Sequence, residues 1–253
     1  LNADKMLKMF KERFSDASDF TFVFVGNIDE KTMLPLIEKY IGGLPSSKGK
    51  KAEKWQDRST PFASGVVDET VYAGEANKGL MTITFENDFD WSDRLATKAL
   101  DNICSIKLTE TIREELGGTY SPSFSLSYEK YPQAKTTAMC YYTCDPTTVD
   151  KLTNATFEVL DKLIAEGPEV KDLDKVKEQL ILERKGQLER NGFWLGQISG
   201  SRFYGYDMQT LEEYSAAVNA LTVEDIKAVA AKYLKHDGYV RVSLKPESMK
   251  PAK

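Results

Sequence analysis

The chain has 253 residues, 41% of them hydrophobic and 29% charged, enough for one large domain or two small ones with a sizeable core. A net charge of -5 gives no electrostatic support for a nucleic-acid partner, and no apolar run approaches the roughly 18 residues that span a bilayer. The opening "LNADKMLKMFKERF" is amphipathic and charged throughout, unlike a signal peptide, and it starts with Leu1. The chain is therefore expected to have been processed or cut from something longer.

Met6, Met9, Phe10 and Phe14 recur at helical spacing and predict an amphipathic helix. "FTFVFVG" (20–26) reads as a short buried strand. "NIDEKTMLPLIEKYIGGLP" predicts a helix capped by Asp29 or Thr32, with Pro35 in its first turn and a stop at Gly42, Gly43 and Pro45. Residues 46–61 are polar, basic and unperiodic, an exposed linker or loop. Two strand-like runs follow, "GVVDETVYAG" and "GLMTITFEN". In the second, Met81, Ile83 and Phe85 alternate with Thr and Glu, as in a half-exposed antiparallel strand.

A long helix is expected from Asp90 to about Leu116, burying Leu95, Ala99, Ile103, Ile106 and Ile112 and ending at Gly117-Gly118. Strands at about 119–129 and 135–143 form a hairpin through "KYPQA". Asp145 as N-cap and Pro146 at the first helical position then start another helix, which ends at Gly167-Pro168. Further helices fall at about 171–190, less regularly near 193–208, and at 210–220. The last begins at Thr222 with Asp225 three residues on, close to a capping box, and "GYVRVSL" is a closing strand. Strands in pairs followed by a helical run predict an α+β fold with a mostly antiparallel sheet packed against helices. The expected division is a leading helix-strand-helix (1–45), the linker (46–61) and the main body (62–253), together one domain of a longer parent. No internal repeat is evident. No Gly-rich nucleotide loop, serine elbow or Cys–His pairing is present.

Cys104, Cys140 and Cys144 are an odd count in a chain this long and do not read as a disulfide framework, and Cys140 and Cys144 read as small hydrophobes on one face of a strand. The single histidine, His236, lies in a helix-end loop, so no metal site made of imidazoles can be built in this chain. The aromatic pairs Phe193-Trp194 and Phe203-Tyr204 read as core packing, and the charge-dense 178–190 as a solvated helix face.

In "TETIREELGGTYSPSFSLSYEK" (109–130), Arg113 sits on the last turns of a helix, and Tyr120 opens the strand beyond a glycine pair. A guanidinium and a phenol at such a corner can donate hydrogen bonds to a carbonyl or an oxyanion. The same residues also suit an ordinary corner, Arg favouring the helix dipole and Tyr the strand.

"FTFVFVGNIDEKTMLPLIEKYIGGLP", "TIREELGGTYSPSFSLSY", and "LTVEDIKAVAAKYL" before "YVRVSLKP", in that order, resemble the insulinase/pitrilysin family of zinc metallopeptidases across nearly the whole chain. The resemblance implies a fold like the metallopeptidase halves of the insulinase and mitochondrial processing peptidase type. It also implies a parent in which two related halves enclose a chamber, one of them carrying Zn2+ on a His-x-x-Glu-His motif. This chain lacks that motif and is similar to a metal-free carboxyl-terminal domain. The residues the resemblance carries over are Arg113 and Tyr120, as substrate-binding groups that support catalysis in trans. The implied partners are a peptide substrate and a zinc-bearing half of the same parent or a paired subunit. A non-catalytic peptide-binding or scaffolding homologue of the same fold would look alike in sequence.

Overall fold

The computed structural model describes residues 1–46, 56–58, 61–75 and 78–251, so the expected linker at 46–61 lies mostly outside the described residues. Two compact units are present: Ser59–Lys185 with Gln209–Lys253, and Leu1–Arg58 with Gly186–Met208.

The larger unit is built on a five-stranded sheet of order β1-β5-β2-β4-β3. Its strands are β1 (Val66–Tyr72), β2 (Gly79–Asp88), β3 (Ser123–Glu129), β4 (Lys135–Cys144) and β5 (Tyr239–Lys245). All neighbours are antiparallel except β1 and β5, so the expected α+β class with a mostly antiparallel sheet is observed. On β2, Met81, Ile83 and Phe85 are fully buried while the residues between them are half-buried. The pleat sends alternate side chains to opposite faces, and this alternation aims one face at the helices.

That face packs against α3 (Arg94–Leu108), α4 (Val149–Glu166) and α8 (Val223–Tyr233). Leu100, Ile103, Leu152, Leu160, Ile226 and Ala230 supply the buried stripes. Helices α5 (Val170–Gln187) and α7 (Leu211–Ala220) add Val176, Leu180 and Val218 to the same core. Both α7 and α8 open on complete capping boxes, Thr210 with Glu213 and Thr222 with Asp225. Two helix starts differ from expectation. The stretch from Asp90 begins with a short 3-10 turn at Trp91–Asp93 before α3, and its far end widens into a π-helical turn, Thr109–Glu115. Asp145 does not cap α4. Its carboxylate accepts from the backbone of Thr147, forming a turn that delays the helix to Val149.

The smaller unit contains α1 (Ala3–Arg13), α2 (Glu30–Tyr40) and α6 (Asn191–Tyr204), and none of the three buries a residue. Residues 20–26, expected as a buried strand, form no strand, and Phe20, Phe22 and Phe24 are exposed. A strand exists only where a neighbour takes its backbone groups, and none does so among the described residues. Pro35 lies in the second turn of α2 rather than the first. The helix tolerates the loss of one bond there because the surrounding residues are exposed to water. Phe193, Trp194, Phe203 and Tyr204 belong to a regular helix rather than a core: Phe203 is exposed, and the Trp194 indole donates to the Leu188 carbonyl at 2.8 Å.

All three cysteines are free and buried. Burial pushes the Cys140 thiol up to about 12 and that of Cys104 well up, so neither forms a thiolate at neutral pH. A thiol reagent at pH 8 is therefore expected to leave the native chain unmodified and to label all three positions in denaturant. Rapid labelling of the native protein would contradict this core.

Candidate functional site

The corner between α3 and β3 is held by four local devices. Ile112, fully buried, anchors the π-helical turn, whose wide spacing shifts the residues after Leu108 out of α-helical register. The Leu116 N–H closes that turn on the Thr111 carbonyl at 3.1 Å, and the Gly118 N–H reaches the Ile112 carbonyl at 2.9 Å. Gly117 takes the left-handed conformation (φ +57°), which an L side chain resists. Gly118 lies so close to α4 that an added Cβ would come within 2.3 Å of the Leu152 side chain. The glycine pair thus turns the chain sharply and pins it against a buried leucine.

On this corner Arg113 and Tyr120 come together. The guanidinium carbon lies 4.9 Å from the centroid of the Tyr120 ring, a cation–π stack worth about 0.5–1 kcal/mol at an exposed site. Tyr120 is 83% exposed, and Arg113 is exposed as well. Among the described residues neither side chain has a hydrogen-bond or ion-pair partner. The stack uses the faces of the two groups and leaves the guanidinium N–H donors and the phenolic O–H free for a ligand.

The adjoining edge of the sheet is closed. On the β3 edge turned away from β4, the Leu126 N–H donates to the Asp101 carboxylate at 2.9 Å, and the Phe124 carbonyl accepts from the Ser105 hydroxyl at 3.5 Å. Both side chains come from α3, so the helix occupies one N–H and one carbonyl that an added strand would use. A ligand at this corner meets side-chain donors rather than an open strand. Sequence reading missed Asp101, because a half-buried carboxylate two residues before the buried Ile103 looks like any solvated charge until β3 is folded against α3.

A match to the peptidase M16 inactive domain covers residues 1–180. The chain belongs to the peptidase M16 family. It is 26% identical over 238 residues to the probable zinc protease PqqL of Escherichia coli, covering 89% of this chain and 24% of that protein. The crystal structure of periplasmic PqqL from the same organism superposes with a TM-score of 0.74 at 25% identity, over 97% of this chain and 27% of the other. The ferredoxin protease FusC, solved in complex with Arabidopsis ferredoxin, gives a TM-score of 0.76 at 19% identity, over 98% of this chain and 27% of that one. At that identity the likeness carries the fold alone. The M16 chain spans about a quarter of the length of its curated relatives.

Zinc, in the names of those relatives, does not fit the donors of this M16 domain. The His236 ring lies among Phe85, Phe157 and Tyr239, with Nδ1 3.4 Å from the Asp161 carboxylate. The cysteines are buried as neutral thiols, and among the described residues no group of three or more His, Cys, Asp and Glu side chains could hold a metal ion.

Three variants test the corner. Burial raises the Asp101 carboxyl pKa, opposed by the Leu126 N–H and Lys98, so the folded state binds the proton more tightly than the unfolded chain. The contribution of Asp101 to stability therefore falls as pH rises from the ordinary carboxylate value through the raised one. Asp101→Asn, which keeps an acceptor without the charge, is expected to flatten that slope. Asp101→Ala orphans the Leu126 N–H and should cost about 1–3 kcal/mol in urea unfolding at pH 7. Gly118→Ala should cost a similar 1–3 kcal/mol by overpacking against Leu152, read as a lower urea midpoint.

Proposed function

We propose that this domain is the metal-free, substrate-gripping wall of a zinc-dependent endopeptidase that hydrolyses peptides in an enclosed chamber. The zinc site lies on another part of the longer protein or on a paired subunit. The observation that carries this reading is the exposed Arg113–Tyr120 pair, with every polar hydrogen uncommitted, held on a rigid corner beside a closed strand edge. Family membership and the names of the relatives support peptide hydrolysis as the chemistry of the whole.

When a nucleophile adds to a peptide carbonyl, the oxygen gains negative charge, and donors already aimed at it stabilise the transition state more than the ground state. Here the phenol supplies one O–H and the guanidinium a planar fork of N–H groups, one able to meet the oxyanion and the other the neighbouring backbone carbonyl. The π-helical turn and the glycine pair carry the positioning, so little reorganisation is required when charge develops. This chain does not supply the attacking water or its activation.

In the longer protein, Arg113→Ala and Tyr120→Phe are each expected to lower kcat/KM on a peptide by roughly a hundredfold, on the order of 3 kcal/mol. Stability should hardly change, because both side chains are exposed. Since the two groups touch, the double variant should lose less than the product of the single losses. Unaltered cleavage by both single variants would remove the assignment.

A further inference from the structure

The last turn of α3 carries a half-buried cation that reaches into the π-helical turn. The Lys107 ammonium donates to the Glu110 carboxylate at 2.7 Å and to the Asp172 carboxylate at 3.1 Å, and the Glu169 carboxylate lies at 3.9 Å. Glu110 is in the π-helical turn, three positions before Arg113. Glu169 and Asp172 stand at the start of α5, which is fastened to the core by the buried Leu173 and Val176. One ammonium thus ties the turn that bears Arg113 to a separate helix.

The members of this cluster differ in depth. The Asp172 side chain is 6% exposed, that of Lys107 22% and that of Glu110 40%. Among the described residues no charged residue is more buried than Asp172. Burial by itself lowers the Lys107 pKa, but the bonds to Glu110 and Asp172 outweigh it and hold the pKa above the usual lysine value. An ion pair taken out of water returns little net stability compared with a well-packed apolar pair, because desolvation of both charges offsets their attraction. It does impose a geometry. A lysine ammonium can direct three hydrogens separately, and here they face carboxylates from two elements of the fold.

The turn has few other side-chain fixtures. From Thr109 to Glu115 only Ile112 is buried, while Arg113, Glu114 and Glu115 are exposed. A single apolar contact lets a turn rotate about it, and Glu110 supplies a second fixed point two residues earlier. We infer that Lys107, through Glu110 and Asp172, is a positioning residue for Arg113. The clamp sets the rotation of the π-helical turn, so that the guanidinium is aimed before charge develops on the substrate. This inference rests on the reading of Arg113 and Tyr120 as donors to the peptide, and Lys107 itself touches no substrate.

Two variants of the longer protein test it. Glu110→Ala cuts the clamp at its most exposed carboxylate bond. Lys107→Met combined with Asp172→Leu replaces the buried pair by apolar side chains of similar size, so both variants are expected to fold with a nearly unchanged Tm. Each should lower kcat on a peptide about tenfold, a fraction of what a misplacement of about 1 Å can cost, and change KM by less than about twofold. In an Arg113→Ala background the same changes should cost less than about twofold, since no guanidinium remains to be positioned. In the 253-residue chain, the backbone order parameters of residues 111–116 should fall from about 0.85 to below about 0.6 in both variants. Undiminished kcat or unaltered order parameters in both variants, with Arg113→Ala still damaging, would overturn the inference and leave the reading of the site standing. An equal tenfold loss in the Arg113→Ala background would also overturn it, because the clamp would then act on the fold at large. A harmless Arg113→Ala would overturn both.

Discussion

The closing strand β5 lies between β1 and β2, and the sheet depends on that insertion. β1 pairs with no other strand of the sheet, so its place is fixed by residues about 170 positions later in the chain. The pairing is reinforced across the parallel register, where Arg241 faces Asp68 and binds its carboxylate through Nε and a terminal nitrogen, both at 2.6 Å. A sheet completed by its last strand carries a large loop-closure cost until the end of the chain arrives. The cost is offset when β5 brings α8 onto the apolar face, where Ile226 and Ala230 become fully buried.

With the sheet closed, α3 has a floor to lie on, and the corner at its end becomes stiff. Helix α3 touches β3 through Asp101 and Ser105, and Ile112 and Gly118 hold the turn beyond it. The exposed pair at the tip therefore stands on a base with little freedom. A donor pair acts on a developing charge only if it need not be rearranged when the charge appears. The same contacts occupy the Leu126 N–H and the Phe124 carbonyl on the outer edge of β3.

The smaller unit obeys the same physics without a strand pairing among the described residues. An amphipathic helix followed by an alternating apolar segment is stable when both rest on a sheet, as α8 and β5 do. Residues 2–26 have that pattern but pair with no sheet among the described residues, so the helix keeps its cap and hydrogen bonds while its phenylalanines remain exposed. Local propensity is enough for α1. It cannot make a strand, because a strand's hydrogen bonds belong to its neighbours.

Much of the fold was legible in local signals. The alternation in Met81, Ile83 and Phe85, the capping box at Thr222 and the Gly117-Gly118 stop are written within a few residues, and each appears where its pattern puts it. Arg113 and Tyr120 could be picked out by residue type and by their place around the glycine pair. The sequence by itself thus determined the class and most helix spans, and it singled out Arg113 and Tyr120 as candidates. Only the tertiary structure decided that those donors stack with their hydrogens free, that Asp101 seals the β3 edge, that the π-helical turn replaces the end of α3, and that 20–26 is not a strand. Each of these depends on which surfaces meet. Propensity and spacing act between near neighbours in the chain, whereas a buried face, an occupied edge or a vacant one is set by residues that are distant in sequence and adjacent only after folding.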